Sequence, residues 1–423
     1  MRMPSRFGLL ALSCVLAGSS QAATITTGMD TFLQEAVPAA NNGTNPVWEW
    51  DGEDGGGENH GLLRFDLNLD APDPDGTLRE RILATPGFTA ELRINVSNVG
   101  DGTDLHRLTQ AFDGSTTWSN FGVGAGVITS GVDQNAETTS NAGLAGAPSV
   151  AVYSIDVTTD LLAWANGATN DGWGFLPLGT NGVEIESFES SAMSPLLILS
   201  TGVTTEYIAP GPTGATWTYH DQIAFGDSNY PGPDAEGDEW YEADYDDSDP
   251  LLWFTGTGQF GYGDGDENTV VDNGQGGGAC SGATPCNITF LFRSDFTVID
   301  LPGDLIAEVT RDDGIRIYIN GVEVFTDNLT GPIDAATQAD NALGGSDEDL
   351  VNSFVLPTTA LVIGTNTIAV EIHNAGPTSS DVSFDLRLIG FEALTLVPEP
   401  SSAPLLVCGL IGLAWLGRSS RHR

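Results

Sequence analysis

The sequence predicts an all-β chain, folded as two antiparallel β-sandwiches of jelly-roll type in tandem. Three observations carry that expectation. Short runs rich in Val, Ile, Thr, Phe and Tyr alternate with polar residues, and clusters of Gly, Asn, Asp and Pro separate them at close spacing. The composition is turn-heavy, with 53 Gly and 22 Pro in 423 residues. Helical periodicity is brief throughout, and between the two ends only residues 159–164 hold it.

The elements follow in order. Arg2 and Arg6 precede an apolar run over 7–17, and the small residues Ser20 and Ala22 follow, the layout of a secretory signal over 1–22. Residues 23–203 hold strand-like runs at 62–67, 90–96, 150–157 and 195–199, the first sandwich. A linker is expected over 204–216, where Ala209-Pro210-Gly211-Pro212 breaks any regular structure. The second sandwich spans 217–396, with runs at 288–293, 305–309, 315–319, 322–325, 360–363, 367–373 and 382–389. Asn320-Gly321 between two of these runs is a type I′ hairpin signal. A short apolar helix is expected within the final segment 397–423.

Charge excludes whole classes. All 14 basic residues are Arg, against 58 acidic ones, for a net charge of −44. Nucleic acid needs a basic face to offset phosphate, so it is excluded as a partner. Docking on anionic headgroups is disfavoured for the same reason. Apolar residues make up 40% of the chain, enough to build packed cores despite the charge.

Of four Cys, Cys14 lies in the leader and Cys408 in the tail, which leaves Cys280 and Cys286. In an exported chain such a pair reads as a disulfide, worth about 2.4 kcal/mol on the chain-entropy account. A redox or metal pair is the alternative, disfavoured by Gly-rich flanks without His.

The C-terminus joins Pro398-Glu399-Pro400, an apolar run over 405–416, and Arg418, Arg421 and Arg423. The run is shorter than the roughly twenty residues of a bilayer span. This segment resembles the PEP-CTERM sorting signal of exported bacterial proteins. The resemblance implies an exosortase-type processing enzyme as partner, transient membrane contact through the helix, and release to the cell surface or extracellular matrix.

Two further resemblances concern the sandwiches. Arg64-Phe65-Asp66, Ala90-Glu91-Leu92, Thr117-Trp118, Ile155-Asp156-Val157-Thr158 with Trp164, Asn170-Asp171-Gly172-Trp173, and Pro195-Leu196-Leu197-Ile198 follow one another in the first half. That order resembles the DNRLRE-type domain, a carbohydrate-binding-module-like sandwich. The second half carries Trp217 with Tyr219, Phe260-Gly261-Tyr262, Phe290-Leu291-Phe292-Arg293, Asp312-Asp313-Gly314-Ile315, and His373-Asn374. It resembles a galactose-binding-like jelly roll, and the resemblance implies binding roles.

Catalytic motifs are sparse. Gly226-Asp227-Ser228 matches the nucleophile block of GDS-type esterases, but no Asp-x-x-His supplies its base. Carboxylate pairs for glycoside cleavage are too numerous to single out. Calcium is the one cofactor suggested, because it takes hard oxygen ligands from Asp- and Asn-rich loops. Its candidate ligands are Asp264, Asp266 and Asn268, Asp246 and Asp247, and Asp312 and Asp313. Asp312 and Asp313 equally suit a turn before the hairpin. Trp48, Trp50, Trp240, Tyr241, Tyr245 and Trp253 stand in acidic, Gly-rich surroundings as candidate sugar-stacking faces, with core packing as the alternative for each. Trp118, Trp164 and Trp173 are expected in the core.

The function expected from sequence is therefore that of an exported, non-catalytic protein that binds or organises extracellular polysaccharide, with calcium in its loops. The alternatives are a secreted carbohydrate-active enzyme of glycoside hydrolase or polysaccharide lyase type, using a carboxylate pair, and a purely structural matrix protein.

Overall fold

The computed structural model describes residues 23–394 except 74–75, 148, 191–193, 277, 345–350 and 393. The leader 1–22 and the segment with Pro398, Glu399 and Pro400 lie outside the described residues. Eleven strands come first: β1 (Ala23–Ile25), β2 (Gly28–Gln34), β3 (Val47–Asp54), β4 (Gly57–Phe65), β5 (Thr89–Asn98), β6 (Gly100–Leu108), β7 (Ala136–Ala147), β8 (Ala151–Asp156), β9 (Trp173–Pro177), β10 (Val183–Glu186) and β11 (Leu196–Ser200). Two helices lie among them, α1 (Leu78–Ala84) and α2 (Thr158–Ala165). Twelve strands follow: β12 (Thr204–Ile208), β13 (Thr216–His220), β14 (Phe254–Thr257), β15 (Phe260–Tyr262), β16 (Thr269–Val270), β17 (Thr289–Val298), β18 (Asp304–Arg311), β19 (Gly314–Ile319), β20 (Val322–Asp327), β21 (Asn352–Leu356), β22 (Gly364–His373) and β23 (Val382–Phe391). The chain is all-β, as its alternating pattern predicts.

β1 to β11 form one antiparallel sheet, ordered β1-β11-β5-β10-β3-β4-β9-β6-β7, with β2 on β4 and β8 on β5. Its core gathers Trp48, Trp50, Leu92, Ile94, Trp164, Trp173 and Phe175. The period of two is plain in β5, where Leu92, Ile94 and Val96 enter that core. Helix α2 matches the helical run expected at 159–164 and buries Leu161 and Trp164. Helix α1 was not expected. Its signal is the capping box Thr77…Glu80, in which each side chain accepts the other residue's backbone N–H.

β12 to β23 form two six-stranded sheets, β16-β15-β23-β18-β21 with β12 on β23, and β14-β13-β17-β22-β19-β20. Their inner faces meet over Phe260, Phe290, Phe292, Val309, Ile317, Val370, Phe384 and Leu388. The hairpin turn has Asn320 at φ 50° and Gly321 at φ 80°, the left-handed pair that a type I′ turn requires. Two boundaries differ from expectation. Residues 204–208 are a strand paired with β23, so the linker shrinks to the turn after Ile208. Residues 360–363 form no strand: a 3-10 turn, Thr358–Ala360, follows Pro357, and Val362 and Ile363 stay exposed without a pairing partner.

The two units touch through the outer face of the first of these two sheets. Ile306, Ile389 and Phe391 pack on Ile198, and Glu308 accepts from Arg93 at 2.7 Å and Arg387 at 3.1 Å. The other sheet is covered differently. The residues between β13 and β14 contain no helix or strand, yet Ile223, Trp240, Tyr245 and Trp253 pack on Leu291, Tyr318 and Ala369. Connections longer than about 12–15 residues without structure of their own are uncommon in compact domains, and most carry function.

Candidate functional site

The outward-facing side chains of β13, β17 and β22 are where polar chemistry gathers. Along β17 the inward positions are Phe290, Phe292 and Phe296, which leaves Arg293 and Asp295 on the far face. There they line a cleft of about 350 Å³ with Thr216, Thr218, Ala243, Tyr245, Asp247, Ser294 and Thr367. The covering segment supplies Ala243, Tyr245 and Asp247, and the strands supply the rest.

Arg293 organises this cleft. Its Nε donates to Asp247 at 3.1 Å, and its Nη1 donates to the carbonyls of Trp240 and, at 2.9 Å, Glu242. The Tyr245 ring lies 5.3 Å from the guanidinium carbon. One buried cation thus gathers the acidic stretch 240–247. The Thr218 hydroxyl donates to Asp247 at 2.6 Å, and the Thr367 hydroxyl donates to Asp295 at 2.7 Å. The cleft therefore holds one carboxylate fixed by a cation and a second, exposed one bonded by a hydroxyl.

Further along the same face lies a closed polar network. Glu371 and His373 are fully buried, with His373 Nε2 3.3 Å from Glu371 Oε2. Arg316 and the Tyr318 hydroxyl reach Glu371 Oε1 at 3.4 and 3.1 Å. A carbonyl can only accept, so the 2.7 Å contact of His373 Nδ1 with Thr337 places a proton on Nδ1. Burial pushes the Glu371 carboxyl up, but His373, Tyr230 and Arg316 outweigh it and hold the group below its ordinary range. Burial, followed by the Glu371 charge, pushes the Tyr230 and Tyr318 phenols up.

The residues singled out from sequence are scattered. Trp48 and Trp50 are fully buried in the first core, with Trp50 stacked on Phe175 at 5.7 Å. Trp240 and Trp253 turn inward from the covering segment and are buried, and Tyr241 stacks on Tyr318 at 4.7 Å. The four buried tryptophans offer no face to a sugar, which corrects the expectation that they form an aromatic platform. Only Tyr245 of the six borders the cleft. Trp118, Trp164 and Trp173 are buried as expected.

The three acidic groups fare differently as well. Asp312 and Asp313 are buried, and the Asp313 carboxylate accepts the backbone N–H groups of Leu343 and Ala375 at 2.5 and 2.6 Å. The Asp313 carboxylate thus ties two loops to the hairpin, the structural alternative to a calcium ligand at this position. Asp246 accepts Ser248 N–H in a turn, while Asp247 belongs to the cleft. Asp264 and Asp266 do converge, with Glu267 as the third carboxylate, all ligand atoms lying within 4.8 Å of one another. Asn268 follows them in the loop, and its side-chain amide donates to Thr257. Burial raises the Asp264 carboxyl, and the neighbouring charges of Asp381, Asp266 and Glu267 add to the rise. Cys280 and Cys286 are bonded to each other, with Cα atoms 5.3 Å apart. Arg293, Asp295, Thr367 and Glu371 were missed. Their signal was present: charged and hydroxyl residues at every second position of otherwise apolar strands.

No family model matches this chain, and no curated protein matches it. Solved structures do. A β-glucuronidase from Ruminococcus gnavus, in complex with N1-substituted uronic isofagomine, matches with a TM-score of 0.28 and 10% identity, over 45% of this chain and 30% of that one. A second structure of that enzyme gives 0.24 and 8%, over 45% of this chain and 29% of the other. A β-glycosidase from Bacteroides vulgatus gives 0.21 and 16%, over 44% and 20%. The chain spans less than a third of these proteins' length. Both are enzymes by description, against the expectation of a chain without catalytic activity, but a likeness of this size carries no argument about what this chain does. At these TM-scores no residue or substrate is carried across. Of the family resemblances, what is supported is the β-rich fold. No helix among the described residues is long and apolar enough to cross a membrane.

Proposed function

We propose that this chain is an exported carbohydrate-active protein, and that the cleft between β13, β17, β22 and the covering segment is its saccharide site. The observation that carries the reading is the pairing of Asp247 and Asp295 in one polar cleft beside Tyr245. Glycosidic bond cleavage uses two carboxylates, one to move a proton and one to steady positive charge on the sugar. Asp247, bonded by Arg293 and Thr218, suits the fixed, charged role. Asp295 is exposed and oriented by the Thr367 hydroxyl, which places the second carboxylate of such a pair within reach of a bound sugar. The signal-like leader and the PEP-CTERM-like tail read from the sequence support a substrate outside the cell, such as extracellular polysaccharide.

A panel of aryl glycosides and polysaccharides tests the reading. Release of reducing ends is expected, falling about 10²–10⁴-fold in Asp295→Asn while uncharged saccharides remain bound. Binding without turnover on any substrate would leave the cleft a recognition site and remove the catalytic role.

Calcium is proposed only at the loop of Asp264, Asp266 and Glu267, where three carboxylate ligands converge. Titration of EDTA-treated protein with CaCl₂ is expected to show saturable heat and a rise in Tm, both lost in Asp266→Asn. Absence of heat would leave these carboxylates as solvated surface.

A further inference from the structure

We infer that the cleft selects saccharides bearing free amino groups, such as glucosamine oligomers, over neutral and uronic ones. This rests on the reading of the cleft as a saccharide site. The argument is one of hydrogen-bond polarity and charge.

The three hydroxyl groups whose bonds are fixed all send their protons into the protein. Thr218 donates to Asp247 at 2.6 Å, Thr367 to Asp295 at 2.7 Å, and Ser294 to the Thr216 carbonyl at 3.0 Å. Toward the cleft they offer lone pairs, and the two carboxylates are acceptors as well. Arg293 is the one cation in the lining, and three of its five N–H donors are committed, Nε to Asp247 and Nη1 to the carbonyls of Trp240 and Glu242. Among the described residues no cationic side chain pairs with Asp295. Two carboxylates against one guanidinium make the lining negative, and Asp295 is the carboxylate that no cation answers.

An ammonium group supplies three donors, no acceptor and one positive charge. It satisfies such a lining where a uronic carboxylate, all acceptor and negative, is repelled. An N-acetylated sugar falls between, with a single amide donor and no charge. The chain's net charge of −44 raises the local concentration of a cationic glycan and makes its capture salt-sensitive.

Calorimetric titration of the full chain tests this, using fully deacetylated and fully N-acetylated chito-oligosaccharides, oligogalacturonate, and spermidine as a cation without sugar. The glucosamine oligomer is expected to bind at least tenfold more tightly than its acetylated counterpart, and Asp295→Asn is expected to erase that difference. Asp133→Asn, on the other unit, should leave it intact. Equal or tighter binding of the acetylated oligomer or of oligogalacturonate overturns the selectivity while leaving the saccharide site standing. Spermidine binding as tightly as the glucosamine oligomer, unchanged in Asp295→Asn, reduces the effect to bulk charge and also overturns it. No heat with any oligosaccharide overturns both this inference and the reading it rests on.

Discussion

Truncating Glu371 to alanine is expected to cost the second sandwich about 3–5 kcal/mol, the price of breaking a buried charge pair from one side. The carboxylate is wholly buried and faces Arg316, His373 and Tyr318. Its removal strands His373 and the Tyr318 hydroxyl in the interior, while Arg316 keeps Glu323 as its partner. Glu371→Gln keeps an acceptor for Tyr318 but drops the charge opposite Arg316, so a smaller loss is expected. Guanidinium denaturation read by tryptophan fluorescence gives both numbers. A loss below about 1 kcal/mol for alanine would show that the network relaxes freely and holds nothing in place. The pH dependence has a definite sign. The folded carboxyl titrates below its unfolded value of 4.5, so its contribution is present above that value and is lost as pH falls through the depressed folded pKa.

Arg293→Ala is expected to release the acidic stretch 240–247 and dismantle the cleft. The guanidinium is the countercharge of Asp247, the donor to two carbonyls and the partner of the Tyr245 ring. Without it Asp247 faces the charges of Glu242, Asp244 and Asp246 on its own segment. A loss of about 3–5 kcal/mol is expected, with faster amide exchange confined to the covering segment and loss of saccharide binding. Arg293→Lys should not restore the cleft, because an ammonium cannot span a carboxylate and two carbonyls as a planar fork does. Unchanged exchange in 240–247 would mean that Trp240, Tyr245 and Trp253 anchor the segment by packing alone.

Much of the fold was legible because a strand records burial with a period of two. The runs at 90–96, 315–319 and 382–389 each fall within an observed strand, and Asn320-Gly321 marked its hairpin. The site was less legible. Trp48 and Trp50 sit among acidic residues in the sequence, but alternate positions of a strand face opposite ways, so Glu49 and Asp51 take the other side. Acidic neighbours along the chain are therefore no guide to exposure of a ring. Asp312 and Asp313 read as a metal loop until backbone N–H groups from positions 30 and 62 residues away close on Asp313.

The sequence by itself determined the all-β class, most of the strand runs and the turn chemistry, because each depends on local pattern. Only the tertiary structure decided which acids meet. Asp247 and Asp295 lie far apart along the chain and border one cleft because β13 and β17 are neighbours and a long segment folds back over them. With 58 acidic residues and 14 Arg, the information lies in which carboxylates obtain a cation and which do not. That is settled by packing across the sheets, which no local pattern encodes.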